Sequence, residues 1–339
     1  MGSNLFIICP FWVLNNTMNV RKKMMNNTKN INQSNIQKLI TANFENLAPT
    51  YYRLISEWMN SSYEVFNDIE KYRIILYLIN KDFEYYIKNG KVESYDNFFM
   101  FDKSLELDRI NIIEISKNLN IPKESTRRKI LDLEKLTILQ KIGKKIYIDR
   151  SAYSLVQPRN TLKNLSALLS RLSEILKNEK IIKRSFSIDQ ISDHLKNNFS
   201  YCWYYFYQFI FTLTTRWKKQ LGDLEIYSVG MVITCHSIVN KSYEGSWPKF
   251  SESKKGIVNI KEVGVNTMSI SEITHIPRPT VVRKLNYLLK NKYISVNKKK
   301  QFTINIKDQS LSDTIKIQQQ NISSLSDLVC KIFEKVNIN

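Results

Sequence analysis

The stretch Ile270-Ser-Glu-Ile-Thr-His-Ile-Pro-Arg-Pro-Thr-Val-Val-Arg-Lys-Leu-Asn-Tyr-Leu288 decides the fold. Ser269 to Thr274 predicts a short helix with Ile270 and Ile273 facing inward. His275-Ile276-Pro277 predicts a turn whose Ile276 is an apolar plug between two helices. Proline is tolerated in the first helical turn, where its missing N–H costs nothing, so Pro277 and Pro279 mark the start of a second helix. Val281, Leu285 and Leu288 recur at i, i+4 and i+7 and make one apolar stripe along it. Beyond Asn291, Tyr293-Ile-Ser-Val296 and Phe302-Thr-Ile-Asn305 alternate as strands do, around the basic tip Asn297-Lys-Lys-Lys-Gln301. Helix, turn, helix and a basic hairpin form the plan of a winged helix-turn-helix.

The same pattern occurs 155 residues earlier. Ile115-Ser116 and Ile121-Pro122-Lys123 match Ile270-Ser271 and Ile276-Pro277-Arg278, and the offset also lays Arg128-Lys129 on Arg283-Lys284 and Leu133 on Leu288. Upstream it lays Asp68-Ile-Glu-Lys-Tyr72 on Asp223-Leu-Glu-Ile-Tyr227 and Asn43-Phe44 on Asn198-Phe199; downstream it pairs Tyr147 with Phe302. A constant offset over this length predicts a tandem repeat. The first copy has its short helix at Asn111–Asn120, its second helix at Lys123–Leu136, and a wing over Leu139–Asp149 that turns near Gly143-Lys144-Lys145. Expected units are residues 36–180 and 191–335, with 1–35 a flexible tail or a mis-called start.

Around each unit lie aromatic-rich helical segments: Ile36–Trp58, Val65–Lys88 and Thr161–Lys177 in the first, Ile191–Lys219, Leu224–Val239 and Thr314–Val336 in the second. The expected fold is therefore mainly α with small β-hairpin wings, and the two units are candidates for an intrachain pseudo-dimer. The run Ile276-Pro-Arg-Pro-Thr-Val-Val-Arg-Lys-Leu285, with Leu288 and Tyr293-Ile294 after it, resembles the recognition-helix region of MarR-like winged-helix regulators. Ile121-Pro-Lys-Glu-Ser-Thr-Arg-Arg-Lys-Ile130 is similar to the same region in regulators that carry two such units. The long segments 90–107 and 245–262 depart from the MarR pattern.

Charge agrees with a polyanionic partner. Lys and Arg number 51 against 31 Asp and Glu, a formal charge of +20, and the pI is near 9.6. Such an excess attracts nucleic acid, although the richness in Asn, Lys and Ile is also what an AT-rich genome produces. In a helix-turn-helix the second helix enters the major groove. Pro279, Thr280, Arg283 and Asn286 lie off the apolar stripe; Arg283 is suited to guanine and Asn286 to adenine, while Arg278 and Thr280 are suited to phosphates. Lys298, Lys299 and Lys300 extend the surface at the wing tip. The first copy offers Lys123, Glu124, Ser125, Arg127, Arg128 and Leu131 on its helix and Lys144 and Lys145 on its wing, but Asp132 and Glu134 add negative charge there. The second copy is expected to contribute more affinity.

Other classes find little support. Cys9, Cys202, Cys235 and Cys330 are far apart, His194, His236 and His275 have no metal-ligand spacing, and no phosphate loop, nucleotide fingerprint or nucleophile elbow is present. No enzyme activity, metal or cofactor is expected. The longest apolar stretch, Tyr201 to Thr214, falls short of the roughly 20 residues of a membrane span, and the widely spaced cysteines fit a reducing compartment, so a cytoplasmic protein is expected. That stretch predicts a buried helix, with an aromatic effector pocket near Trp203 and Tyr204 as the sharper alternative. The expected partner is double-stranded DNA, bound by a monomer acting as a pseudo-dimer or by a homodimer. A plasmid-type replication initiator, a DNA-architectural protein or a protein-docking winged-helix protein are the rival readings.

Overall fold

The computed structural model describes residues 31–100, 105–107, 111–143, 145–244, 264–305 and 310–335. Most of the tail expected at 1–35, and Lys144, lie outside the described residues. The chain is mainly helical with a few small antiparallel strand pairs. Its elements are α1 (Gln33–Ala42), α2 (Phe44–Phe66), α3 (Ile69–Lys88), α4 (Tyr95–Met100), β1 (Leu105–Leu107), α5 (Ile112–Leu119), α6 (Lys123–Lys135), β2 (Leu139–Ile142), β3 (Lys145–Ile148), α7 (Arg150–Leu155), α8 (Arg159–Asn178), α9 (Ile188–Asn197), α10 (Phe199–Leu221), α11 (Leu224–Glu244), α12 (Thr267–Thr274), α13 (Arg278–Lys290), β4 (Ile294–Val296), β5 (Phe302–Ile304) and α14 (Ser310–Lys335).

The 155-residue offset recurs in the element boundaries. α1, α2, α5 and α6 shifted by 155 coincide at both ends with α9, α10, α12 and α13. The caps repeat as well. Asn111 and Asn266 accept backbone N–H bonds at the starts of α5 and α12, the usual role of an N-cap side chain. Asp68 does so at α3, and Asp223 accepts from the Glu225 N–H at 2.6 Å. α6 and α13 end alike: Thr137 and Lys292 take positive φ, while the next residues, Ile138 and Tyr293, bond back to the Leu133 and Leu288 carbonyls. This is the Schellman closure, made here without the glycine that normally carries it.

The long helices expected at Ile36–Trp58 and Ile191–Lys219 are each two helices. The break falls at Asn43 and Asn198, whose side-chain amides donate to the Leu39 and His194 carbonyls at 3.0 and 3.1 Å. Such a bond offers the backbone an alternative to continuing the helix. The plug residues Ile121 and Ile276 are fully buried, and so is the stripe Val281, Leu285 and Leu288. Ile273, expected inside, is 44% exposed. The helix begins earlier than its apolar residues suggest, so Ile270 and Thr274 form its inner stripe.

The two hairpins differ by one residue. Leu139 pairs with Ile148 and Ile294 with Ile304, so the second hairpin has three turn residues where the first has two. The buried counterpart of Phe302 is consequently Ile146 and not Tyr147. In the longer turn Lys300 takes positive φ and Asn297 exchanges bonds with Gln301, the three-residue loop in which the last position is left-handed. In the first copy β1 adds a third strand, in the order β1-β3-β2. In the second, Val265 makes an isolated bridge to Phe302. The segment 90–107 holds α4 and β1, which lack enough residues to show a period. Phe98 of α4 stacks on Tyr153 of α7 at 5.5 Å and meets Phe83 and Phe199.

The two copies share one hydrophobic core. α1 packs on α14 and α9 on α8, α2 packs on α11 and α10 on α3. Exchanging the copies turns each of these contacts into its partner in the pair, the pattern of an isologous interface.

Candidate nucleic-acid interface

Burial of one face of α6 and α13 decides what their other faces offer. In α13, Val281, Leu285 and Leu288 are buried, which leaves Arg278, Arg283 and Asn286 exposed and Thr280 partly so. No acidic residue occurs within α13. Among the described residues no carboxylate pairs with Arg278 or Arg283; the Arg283 guanidinium donates to Thr280 Oγ1 at 3.2 Å. Lys298, Lys299 and Lys300 are exposed on the turn between β4 and β5. The Asn297 side chain accepts from the Lys299 and Gln301 N–H groups, both at 3.0 Å, and so holds that turn in shape.

The one cation of α13 that faces inward is Lys284. It meets Asp223, the residue that caps α11, and lies 2.9 Å from Glu225. Burial works against its charge, but the two carboxylates outweigh that and raise its pKa above the ordinary lysine value. Lys129 is its counterpart in α6, meeting Asp68 and lying 3.3 Å from Glu70. An inward lysine thus anchors each helix to the start of the long helix behind it.

α6 presents Lys123, Glu124, Arg127 and Arg128 to solvent, with Ser125 partly covered. Its cations are less free. Arg127 binds Glu124 through two nitrogens, the closer at 2.6 Å, and that bond holds the Glu124 carboxyl below its ordinary pKa. On the β2–β3 hairpin, Lys145 meets Glu106 of β1. Asp132 lies 3.1 Å from Lys71. The Glu106 pairing went unseen in the sequence because it needs the third strand.

A cavity of about 520 Å³ lies where α3, α5 and α10 meet, lined by Tyr77, Asn80, Lys81, Tyr204, Phe211 and Lys219 among others. Tyr204 lines this mostly polar cavity, whereas Trp203 is wholly buried against Phe199 and Phe206, so the two do not form the aromatic pocket expected as the alternative to a buried helix. Among the described residues no cluster of His, Cys, Asp or Glu is placed to hold a metal ion, and no helix is long and apolar enough to cross a membrane. The thiols of Cys202 and Cys235 are pushed up to about 12 by burial, which suits packing and not nucleophilic chemistry. Cys9 lies outside the described residues.

No family model matches the chain, and no curated protein or solved structure matches it either.

Proposed function

We propose that this chain is a sequence-specific regulator of transcription that binds double-stranded DNA through two winged helix-turn-helix units acting as an internal pseudo-dimer. The observation that carries the reading is the outer face of α13 with its wing. Arg278, Arg283 and Asn286 stand exposed on the helix, Lys298 to Lys300 stand on the hairpin, and α13 holds no acidic residue to neutralise them. A helix with that face enters a major groove, its arginine and asparagine suited to guanine and adenine edges, while the wing lysines meet the phosphates alongside. In this reading the exchanged packing of α1, α8, α9 and α14 does within one chain what the interface of a symmetric dimer does between two. The recognition helices α6 and α13 then address half-sites about one DNA turn apart, roughly 34–36 Å. Different residues on the two helices make the half-sites unequal. The cavity at Tyr204 is the place proposed for a small-molecule effector.

Selection of bound duplexes from a random DNA pool tests this directly. A bipartite motif with two unequal halves is the expected result. Binding without a motif, lost steeply as salt rises, would point to an architectural protein held by phosphates alone. Absence of binding would move the function to protein docking.

A further inference from the structure

The carbonyls at the C-terminal end of a helix have no partner within it, and the helix dipole makes that end attractive to cations. At the end of α5 two consecutive carbonyls are taken up by cations from elsewhere. Arg73 of α3 donates to the Leu119 carbonyl at 3.1 Å and to Thr215 Oγ1 of α10 at 3.0 Å. Lys218, one turn further along α10, donates to the Asn120 carbonyl at 2.8 Å. Asn120 is the left-handed residue of the turn between α5 and α6. Lys218 also meets Glu70, whose carboxylate reaches Lys129 of α6 at 3.3 Å. The Lys218, Glu70 and Lys129 side chains are 13, 20 and 13% exposed, so solvent screens this chain of contacts poorly. Burial lowers the Arg73 pKa to about 10, with the Glu70 charge opposing the fall.

The mirror-related place lacks this brace. Tyr63 stands where Lys218 would be, Ser228 where Arg73 would be and Asn60 where Thr215 would be. Ser228 Oγ lies 3.3 Å from Asn60 Oδ1. Among the described residues no cation reaches the Thr274 or His275 carbonyl. The turn there is approached by an exposed pair, His275 Nε2 at 3.7 Å from Glu64.

We infer that Lys218, a residue of the second copy, is a positioning residue for the DNA-reading end of the first, tying α5 and α6 to α10 by a cation brace that α12 and α13 lack among the described residues. Its effect on DNA rests on the function proposed above; its effect on the free protein does not. Hydrogen exchange on the full chain without DNA is the test. Lys218→Met is expected to speed exchange of amides in 112–136 by about ten-fold, as local opening becomes easier, and to leave 267–291 unchanged. Lys218→Arg, which keeps a donor cation, is expected to restore most of the protection, and Tyr63→Phe at the mirror place to change neither segment. On DNA, Lys218→Met is expected to blur the footprint of the first half-site alone. If Lys218→Met does not fold, Lys218→Gln, which keeps a donor for the Asn120 carbonyl but removes the charge facing Glu70, carries the same expectation at smaller size. Equal acceleration in both segments, no acceleration, or failure of Lys218→Arg to rescue would overturn the inference. Loss of DNA binding in the parent protein would overturn the proposed function and leave the exchange result standing.

Discussion

Residues 112–148 and 267–304 are two solutions to one packing problem with different outer surfaces. Inside they agree: a buried isoleucine plug, a left-handed residue at the turn, a Schellman closure after the second helix and a lysine anchored to a pair of carboxylates. Outside they diverge. The first copy neutralises Arg127 with Glu124 and Lys145 with Glu106, while among the described residues no carboxylate pairs with the outward-facing Arg278, Arg283 and Lys298 to Lys300 of the second. Packing tolerates few changes, because a close-packed interior registers even a methylene. The exposed face carries no such constraint and is where the two copies diverge in the charges they present.

The largest expected effects test the shared interior. Ile121→Ala and Ile276→Ala each remove a buried plug and are expected to cost about 2–5 kcal/mol in denaturant unfolding. Similar costs support the equivalence of the cores; a cost at only one would break it. The next test concerns the surfaces. Arg283→Ala is expected to weaken DNA binding by about 1–3 kcal/mol and relax one base position, with Arg128→Ala costing less than half as much. Equal losses in titrations at fixed salt would remove the functional asymmetry.

Asp82 allows an exchange between the copies, because Ser237 stands at its equivalent position. Burial, helped by the Glu93 charge and opposed by a Tyr86 hydrogen bond, raises the Asp82 carboxyl from 3.8 to about 6. The folded protein holds that proton more tightly than the unfolded chain. Its contribution to stability is complete below about pH 4 and is lost as the pH rises through 6. Asp82→Ser is therefore expected to raise stability at pH 7 by on the order of 1–3 kcal/mol and to do nothing at pH 4. A gain of the same size at both pH values would show that the carboxyl is not the cause. The smallest effect is expected from Glu124→Gln, which frees Arg127. DNA binding should strengthen by less than ten-fold, and the dependence of log K on log salt should steepen by about one phosphate contact. An unchanged slope would mean that Arg127 faces no phosphate.

Much of this was legible from the chain. Val281, Leu285 and Leu288 announce α13 by their spacing, and the 155-residue offset carries that reading to α6 and to the helices upstream. The breaks at Asn43 and Asn198 were harder to see because asparagine is common throughout the sequence and the apolar period continues across them. Ile273 was misplaced because a helix of eight residues gives two turns of evidence, too few to fix its phase. The match of Tyr147 to Phe302 failed because one inserted turn residue leaves strand alternation intact while moving it by one position.

The sequence by itself determined the local order of helices and hairpins, the repeat and the cations on its surfaces, because periodicity, capping and charge are properties of neighbouring residues. Only the tertiary structure decided which cations remain free, that each copy leans on the other's helices, and that Lys218 reaches the turn at Asn120, 98 residues away in the chain. Those facts depend on which surfaces become buried together, and burial is set by the whole chain at once.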